Sequence, residues 1–177
     1  VDPLPMAYLR ALRELAERLE VKVVSDHLCF GGFGGHLGHD LWPLPCTEES
    51  LDHVAGRVRI VQDLLGRRIA LENPSSYVAW AASTIPEQEF LAELTRRADC
   101  DVLLDLNNVV VSAHNVGFDP VAYVDGIPVG RVAQFHLAGH SERDGYLFDD
   151  HGGRVPPEVW ALYPDGSPHP SRQLSLA

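Results

Sequence analysis

The sequence has no apolar run approaching the roughly 20 residues that cross a bilayer, and no signal peptide is read at its opening residues. Basic residues are few: 14 Lys and Arg stand against 25 Asp and Glu, a net charge of −11. That sign argues against a nucleic-acid backbone or an anionic membrane as the main partner. It leaves a metal ion or a cationic peptide open. Cysteine is scarce too. Cys29, Cys46 and Cys100 are odd in number and form no CxxC pair, so reduced thiols in a reducing, cytoplasmic compartment are expected. What is present suits one globular domain with a sizeable core: 177 residues, 45% hydrophobic and 22% charged.

Helical and strand periodicities alternate along the chain. "PLPMAYLRALRELAERLE" (3–20) has Leu9, Leu12, Leu15, Ala16 and Leu19 on one helical face. "VKVVSDHL" (21–28) reads as a buried strand. "TEESLDHVAGRVRIVQDLLG" (47–66) reads as a helix capped by Thr47 and closed by Gly66. Further strands are predicted at 67–73, 101–108 and 131–140, and further helices at 86–98, 119–127 and 156–163. Four near-continuous apolar strands separated by helices indicate an α/β fold with a parallel sheet. The ending "PDGSPHPSRQLSLA" (164–177) is rich in Pro and Ser and is predicted to be an unfolded tail to a domain spanning 1–163.

Polar residues gather at the predicted strand ends: Asp26 and His27, Glu72 and Asn73, Asp105, Asn107 and Asn108, then His136 and His140. Parallel strands put their C-terminal ends on one side, so these groups should converge. With Asp149 and His151 from "YLFDDHGG", the candidate ligand set is His27, Glu72, Asp105, Asn108, His136, Asp149 and His151. Imidazole, carboxylate and carboxamide donors without thiolate suit iron, manganese or zinc. Seven candidates exceed the needs of one ion, and a carboxylate such as Glu72 can bridge two.

Each residue has a structural alternative. Glu72 lies in an apolar strand and could pair with a buried Arg. Asp105 and Asn108 could form an Asx turn. His27 and His136 could be hydrogen-bonded structural histidines. Asn107 competes with Asn108 for the inward position. Asp26, Asn73, Asn107, His114 and His140 are expected to support the ligands or face substrate, whereas His53 and His169 are expected in solvent. The Gly-rich "FGGFGGHLGH" (30–39) lacks the ending of a P-loop and is predicted to be a mobile loop over the strand ends. No His partner for Cys29 is evident, so a thiol nucleophile is not expected.

The blocks "SDHLCFGGFGGHLGHDLWPLPCTEESLDHV", "LENPSSYV", "LLDLNNVVVSAHNVGFDP", "QFHLAGH" and "DDHGGRVPPEVWALY" occur in one order from Val21 to Tyr163. Together they resemble the multinuclear non-haem iron-dependent oxidases, a family including the bufferin maturases and formerly grouped as uncharacterised proteins. The resemblance implies a TIM barrel with two or three irons at the strand C-termini. It implies O2-dependent modification of cysteines in a ribosomally made precursor peptide (RiPP biosynthesis), with a partner protein that captures the leader. Carried over, His27, Glu72 as bridge, Asp105, Asn108, His136, Asp149 and His151 take the metal-ligand positions. The family also has early strands with a further His ligand and late strands with a further Glu. This chain is therefore expected to be the middle of a barrel, about four βα units, with its inner sheet face apolar and uncovered. Aggregation and incomplete iron loading are expected to follow.

Two other readings compete. One is a divalent-metal TIM barrel of the isomerase or endonuclease type, the second of which the net charge disfavours. The other is a non-catalytic fragment that binds metal without turnover.

Overall fold

A computed structural model describes residues 3–163 and 173–176. The elements run in order as α1 (Met6–Arg18), β1 (Ser25–His27), β2 (Cys29–Phe33), β3 (His36–Pro43), α2 (Glu48–Leu65), β4 (Ala70–Glu72), α3 (Glu87–Ala98), β5 (Asp101–Asp105), α4 (Leu106–Ser112), a π-helical turn (Ala113–Gly117), α5 (Pro120–Gly126), β6 (Val132–Leu137), β7 (Ser141–Arg143), β8 (Tyr146–Phe148), α6 (Pro157–Leu162) and β9 (Gln173–Leu176). The strands β1-β4-β5-β6-β9 make one five-stranded sheet, parallel throughout. Helices α1, α2, α3, α5 and α6 pack each against the next. This is an α/β partial (β/α) barrel, as the strand–helix alternation predicts.

Local chemistry explains the helices. The Thr47 hydroxyl accepts from the Ser50 amide at 3.2 Å. Glu48 and Glu49 occupy the positive first turn of α2, and Gly66 closes it at φ 68°. Helix α3 buries Phe90, Leu91, Leu94 and Ala98, one stripe at helical spacing. That stripe joins Leu71, Val102, Leu104, Phe135 and Leu137 of the sheet in one core.

Several expectations need correction. The strand predicted at 101–108 stops at Asp105, and Asn107 and Asn108 lie in α4. The Asp105 side chain accepts from the Asn108 amide at 2.8 Å, which starts a helix where the apolar run suggested more strand. The Gly-rich segment is not a loop: β2 and β3 form an antiparallel hairpin. Its turn uses Gly34 and Gly35 at φ 59° and 80°, conformations suited to glycine. The sheet has a fifth strand, β9, in the stretch expected to be unfolded; residues 164–172 and His169 lie outside the described residues. Nor is the inner sheet face wholly apolar. Glu72, Leu103, Asp105, Gln134 and His136 share it through their register.

Among the described residues β1 and β9 each have a single neighbouring strand. A groove of about 1030 Å³ runs along β1, α1 and α2 and is lined by residues including Leu9, Val24, His27, Phe30 and Val58.

Candidate metal centre

Register assembles the site. His27 lies beside Glu72 across β1 and β4, and Asp105 beside His136 across β5 and β6. Glu72 is in register with Leu103, two residues before Asp105, so all four side chains leave the same face near the strand C-termini.

The Glu72 carboxylate divides its oxygens between two imidazoles. His136 Nδ1 donates to Oε1 at 3.0 Å, and His27 Nε2 lies 3.4 Å from Oε2. Asp105 Oδ2 is 3.5 Å from the same His136 Nδ1 and is buried without a hydrogen-bond partner. Ligand atoms of Glu72, Asp105 and His136 all fall within 4.8 Å of one another. Asp105 and Glu72 lift the His136 imidazole to about 9. At neutral pH its positive charge therefore sits between two buried carboxylates, where like charges would otherwise repel.

The surrounding amides fix this cluster. Asn73 donates to the Asp105 carbonyl at 3.0 Å and accepts from the Asp105 amide at 2.9 Å, clamping the ends of β4 and β5 together. Asn108 donates to the Asn73 carbonyl at 2.9 Å, and its Oδ1 is buried with no partner. Asn107 has both ends committed: Nδ2 donates to Asp149 Oδ1 at 2.8 Å, and Oδ1 is 2.8 Å from His140 Nδ1. Because the Asn107 oxygen only accepts, His140 Nδ1 is the donor in that bond.

Asp149 also lies 3.2 Å from His151 Nε2. Burial lifts the Asp149 carboxyl above its ordinary range, His151 opposes that, and Asp105 adds to it. His151 takes a left-handed backbone at φ 50°. The chain just beyond it passes β6 so closely that a Cβ on Gly139 would sit 2.7 Å from the Gly153 backbone. Glycine in "HLAGH" is thus required by close approach.

Other expected participants stand apart. Asp26 is exposed and accepts from the His27 amide at 2.9 Å. His114 is 3.2 Å from the Gly145 carbonyl, in the turn of the β7–β8 hairpin. Three residues beside the site were not anticipated: Gln134, 3.3 Å from His136 Nε2, and Tyr77 and Asn115, which hold the segment carrying Asp149. Alternation with His136 could have flagged Gln134. Tyr77 and Asn115 carry no local signal.

The donor set fits a hard or borderline cation. It offers oxygen and imidazole ligands, a buried carboxylate oxygen lacking a partner, and no nearby thiolate. The cysteines are poorly suited to nucleophilic work: burial pushes Cys29 up to about 11 and Cys46 up to about 12, and Cys100 likewise to about 11.

A family profile described as "RiPP precursor modification enzyme MbnB/TglH/ChrH" matches residues 1–170. The chain belongs to this family. It is 58% identical over 162 residues to a UPF0276 protein of Anaeromyxobacter sp. (strain Fw109-5), covering 92% of this chain and 57% of that protein. A UPF0276 protein of Acaryochloris marina is 51% identical, with 92% and 59% covered. The chain thus spans somewhat more than half the length of those relatives. A crystal structure described as IOLI protein with a binding zinc atom superposes with a TM-score of 0.61, over 97% of this chain and 59% of that one. At 15% identity that likeness speaks for the fold alone. The blocks that carry the resemblance in the sequence all lie inside the family match.

Proposed function

We propose that this protein is the metal-bearing part of an oxidase that uses iron and O2 to modify cysteine residues of a ribosomally synthesised precursor peptide. The observation that carries the reading is Glu72. A carboxylate with one oxygen 3.0 Å from His136 and the other 3.4 Å from His27, at the strand ends of one sheet, would be able to hold two cations at once. Asp105 and His136 complete one side, and His27 stands on the other. Asp149 and His151 supply a further pair. Of the two amides, Asn108 is the better ligand, because its Oδ1 is free of other bonds while both ends of Asn107 are engaged. Iron held by these residues supplies redox chemistry that no side chain here offers.

The chain's own groups bind and orient. Asn73 and the Asp105 cap hold the carboxylates in place before any ion arrives. The groove beside His27 offers room for an extended peptide. The peptide's cysteine is the reacting thiol, not Cys29, whose proton is held up to about 11. A leader-binding partner protein delivers the peptide. No helix among the described residues is long and apolar enough to cross a membrane, and the excess of acidic residues disfavours nucleic acid. Three free cysteines fit a reducing, cytoplasmic setting.

Iron content after anaerobic purification, compared between the protein and Glu72→Gln, tests the reading. Two ions lost or weakened together in the variant support the bridge; unchanged iron rejects it. Peptide-dependent oxygen uptake that survives Cys29→Ser supports the chemistry, and its loss with iron retained contradicts it. One competitor is a divalent-metal enzyme without oxygen chemistry, since imidazole and carboxylate donors also suit zinc. Tightly held zinc with no oxygen uptake on adding a Cys peptide would select that competitor.

A further inference from the structure

The segment bearing Asp149 and His151 leaves the β7–β8 hairpin, a two-stranded ribbon outside the main sheet. Such a ribbon is marginal alone in water, and Tyr146 and Phe148 are exposed at 52% and 40%. Its position has to come from somewhere other than the core. Three alternate residues along it are gripped by side chains. His114 Nε2 is 3.2 Å from the Gly145 carbonyl. Asn115 donates to the Leu147 carbonyl at 2.9 Å and accepts from the Leu147 amide at 3.0 Å, pairing with it as a neighbouring strand would. The Asp149 amide donates to the Tyr77 hydroxyl at 3.0 Å, and the Tyr77 ring lies 5.8 Å from that of Phe148. His114 and Asn115 both belong to the π-helical turn Ala113–Gly117 that follows α4. A π turn shifts the side chains beyond it relative to an α-helix, and such turns recur at functional sites.

We propose that Asn115 and Tyr77 are positioning residues: they hold the Asp149–His151 arm in place over the strand ends, and through it set the arm's metal affinity. The second half rests on the metal reading above. Asn115 bonds the backbone of Leu147 and Ser76, not a ligand side chain. Its bidentate pairing fixes the backbone two residues before Asp149, and Tyr77 fixes the Asp149 amide itself. The Asn107 bond to Asp149 Oδ1 then orients the carboxylate.

The test compares Asn115→Leu, which loses both bonds to Leu147 and the longer one to the Ser76 carbonyl at similar volume, with Tyr77→Phe, which keeps the ring and loses only the acceptor. Amide hydrogen exchange in the metal-free chain should quicken about tenfold or more at Leu147 and Asp149 in the first variant and at Asp149 in the second, with the melting temperature of the whole little changed. Co(II), titrated as a spectroscopic probe, should bind about 10- to 100-fold more weakly, as outer-sphere losses generally cost. Its visible absorption should change in shape. In an Asp149→Ala background the same substitutions should cost nothing further, because they act through Asp149. Exchange rates equal to wild type in both variants would overturn the proposal, as would an affinity loss undiminished in the Asp149→Ala background. A wild-type chain that takes up no Co(II) sinks the metal reading instead, and the exchange rates then decide by themselves whether these residues hold the arm. If Asn115→Leu fails to fold, Tyr77→Phe decides alone.

Discussion

The two faces of the parallel sheet are built from the same strands and do opposite things. On the helix-covered face, Leu71, Val102, Leu104, Phe135 and Leu137 pack beneath α2, α3 and their neighbours. On the other face, the residues between them present Glu72, Asp105, Gln134 and His136, with His27 alongside. Strand side chains alternate with a period of two, so one residue of register separates a core position from a ligand position. The first face gains stability by removing apolar area from water. The second gathers buried carboxylates, costly unless something positive lies between them. Here the His136 imidazole lies between them, 3.0 Å from Glu72 and 3.5 Å from Asp105. Stability and chemistry are thereby separable by substitution.

The largest effect is expected on the apolar side. Phe90→Ala should cost about 3–5 kcal/mol, because Phe90 is fully buried where α3 meets the sheet. Urea denaturation measures it. A cost below about 1 kcal/mol would mean that the helix layer is not what stabilises the sheet.

Asp105 belongs to both halves of the comparison. Its Oδ1 caps α4 and its Oδ2 faces His136. Asp105→Asn retains an acceptor for the cap and removes the charge. Stability should change by less than about 1 kcal/mol, while metal affinity falls by more than the roughly 10- to 100-fold of an outer-sphere change. Asp105→Ala should lose the cap as well, about a further 1 kcal/mol. Equal stability of the two variants would show that the cap contributes nothing.

Thr47→Ala sharpens the comparison from the other side. It should cost about 1 kcal/mol through the lost bond to the Ser50 amide, with Co(II) affinity unchanged. A shift in affinity would show that helix α2 and the cluster are coupled.

The smallest effect lies on the surface, where Arg97 joins Glu93, Glu48 and Asp52. Bonds from Arg96 and Arg97 hold the Glu93 carboxyl down at about 2. A lowered folded-state value stabilises above the ordinary carboxylate range, and that contribution disappears as pH falls toward 2. Acid denaturation of Glu93→Gln, compared with the parent, should show a shallower loss between about pH 4.5 and 2. Salt should shrink the difference, because exposed pairs are screened.

Much of this architecture was legible one residue at a time. Thr47 and Gly66 bracket α2 because capping is settled within four residues, and Asp119 caps α5 in the same way. Apolar runs with polar ends revealed parallel strands, since burial on both faces leaves only the ends free to be charged. The turn at Gly34 and Gly35 was expected as part of a mobile loop, and the hairpin signal in two adjacent glycines between Phe33 and His36 went unused. What the sequence alone could not decide was anything resting on a partner far along the chain. "LNNVVVS" has the branched residues of a strand, yet it is a helix, started by Asp105 and buried against β6 and α6. Whether Asn107 or Asn108 keeps a free oxygen depends on His140 and Asp149 in one case and Asn73 in the other. Asn115 gained its place only by meeting Leu147, 32 residues away. Local propensities are worth tenths of a kcal/mol per residue, so the chain's long-range contacts, each comparable or larger, settled which side chains reached the site.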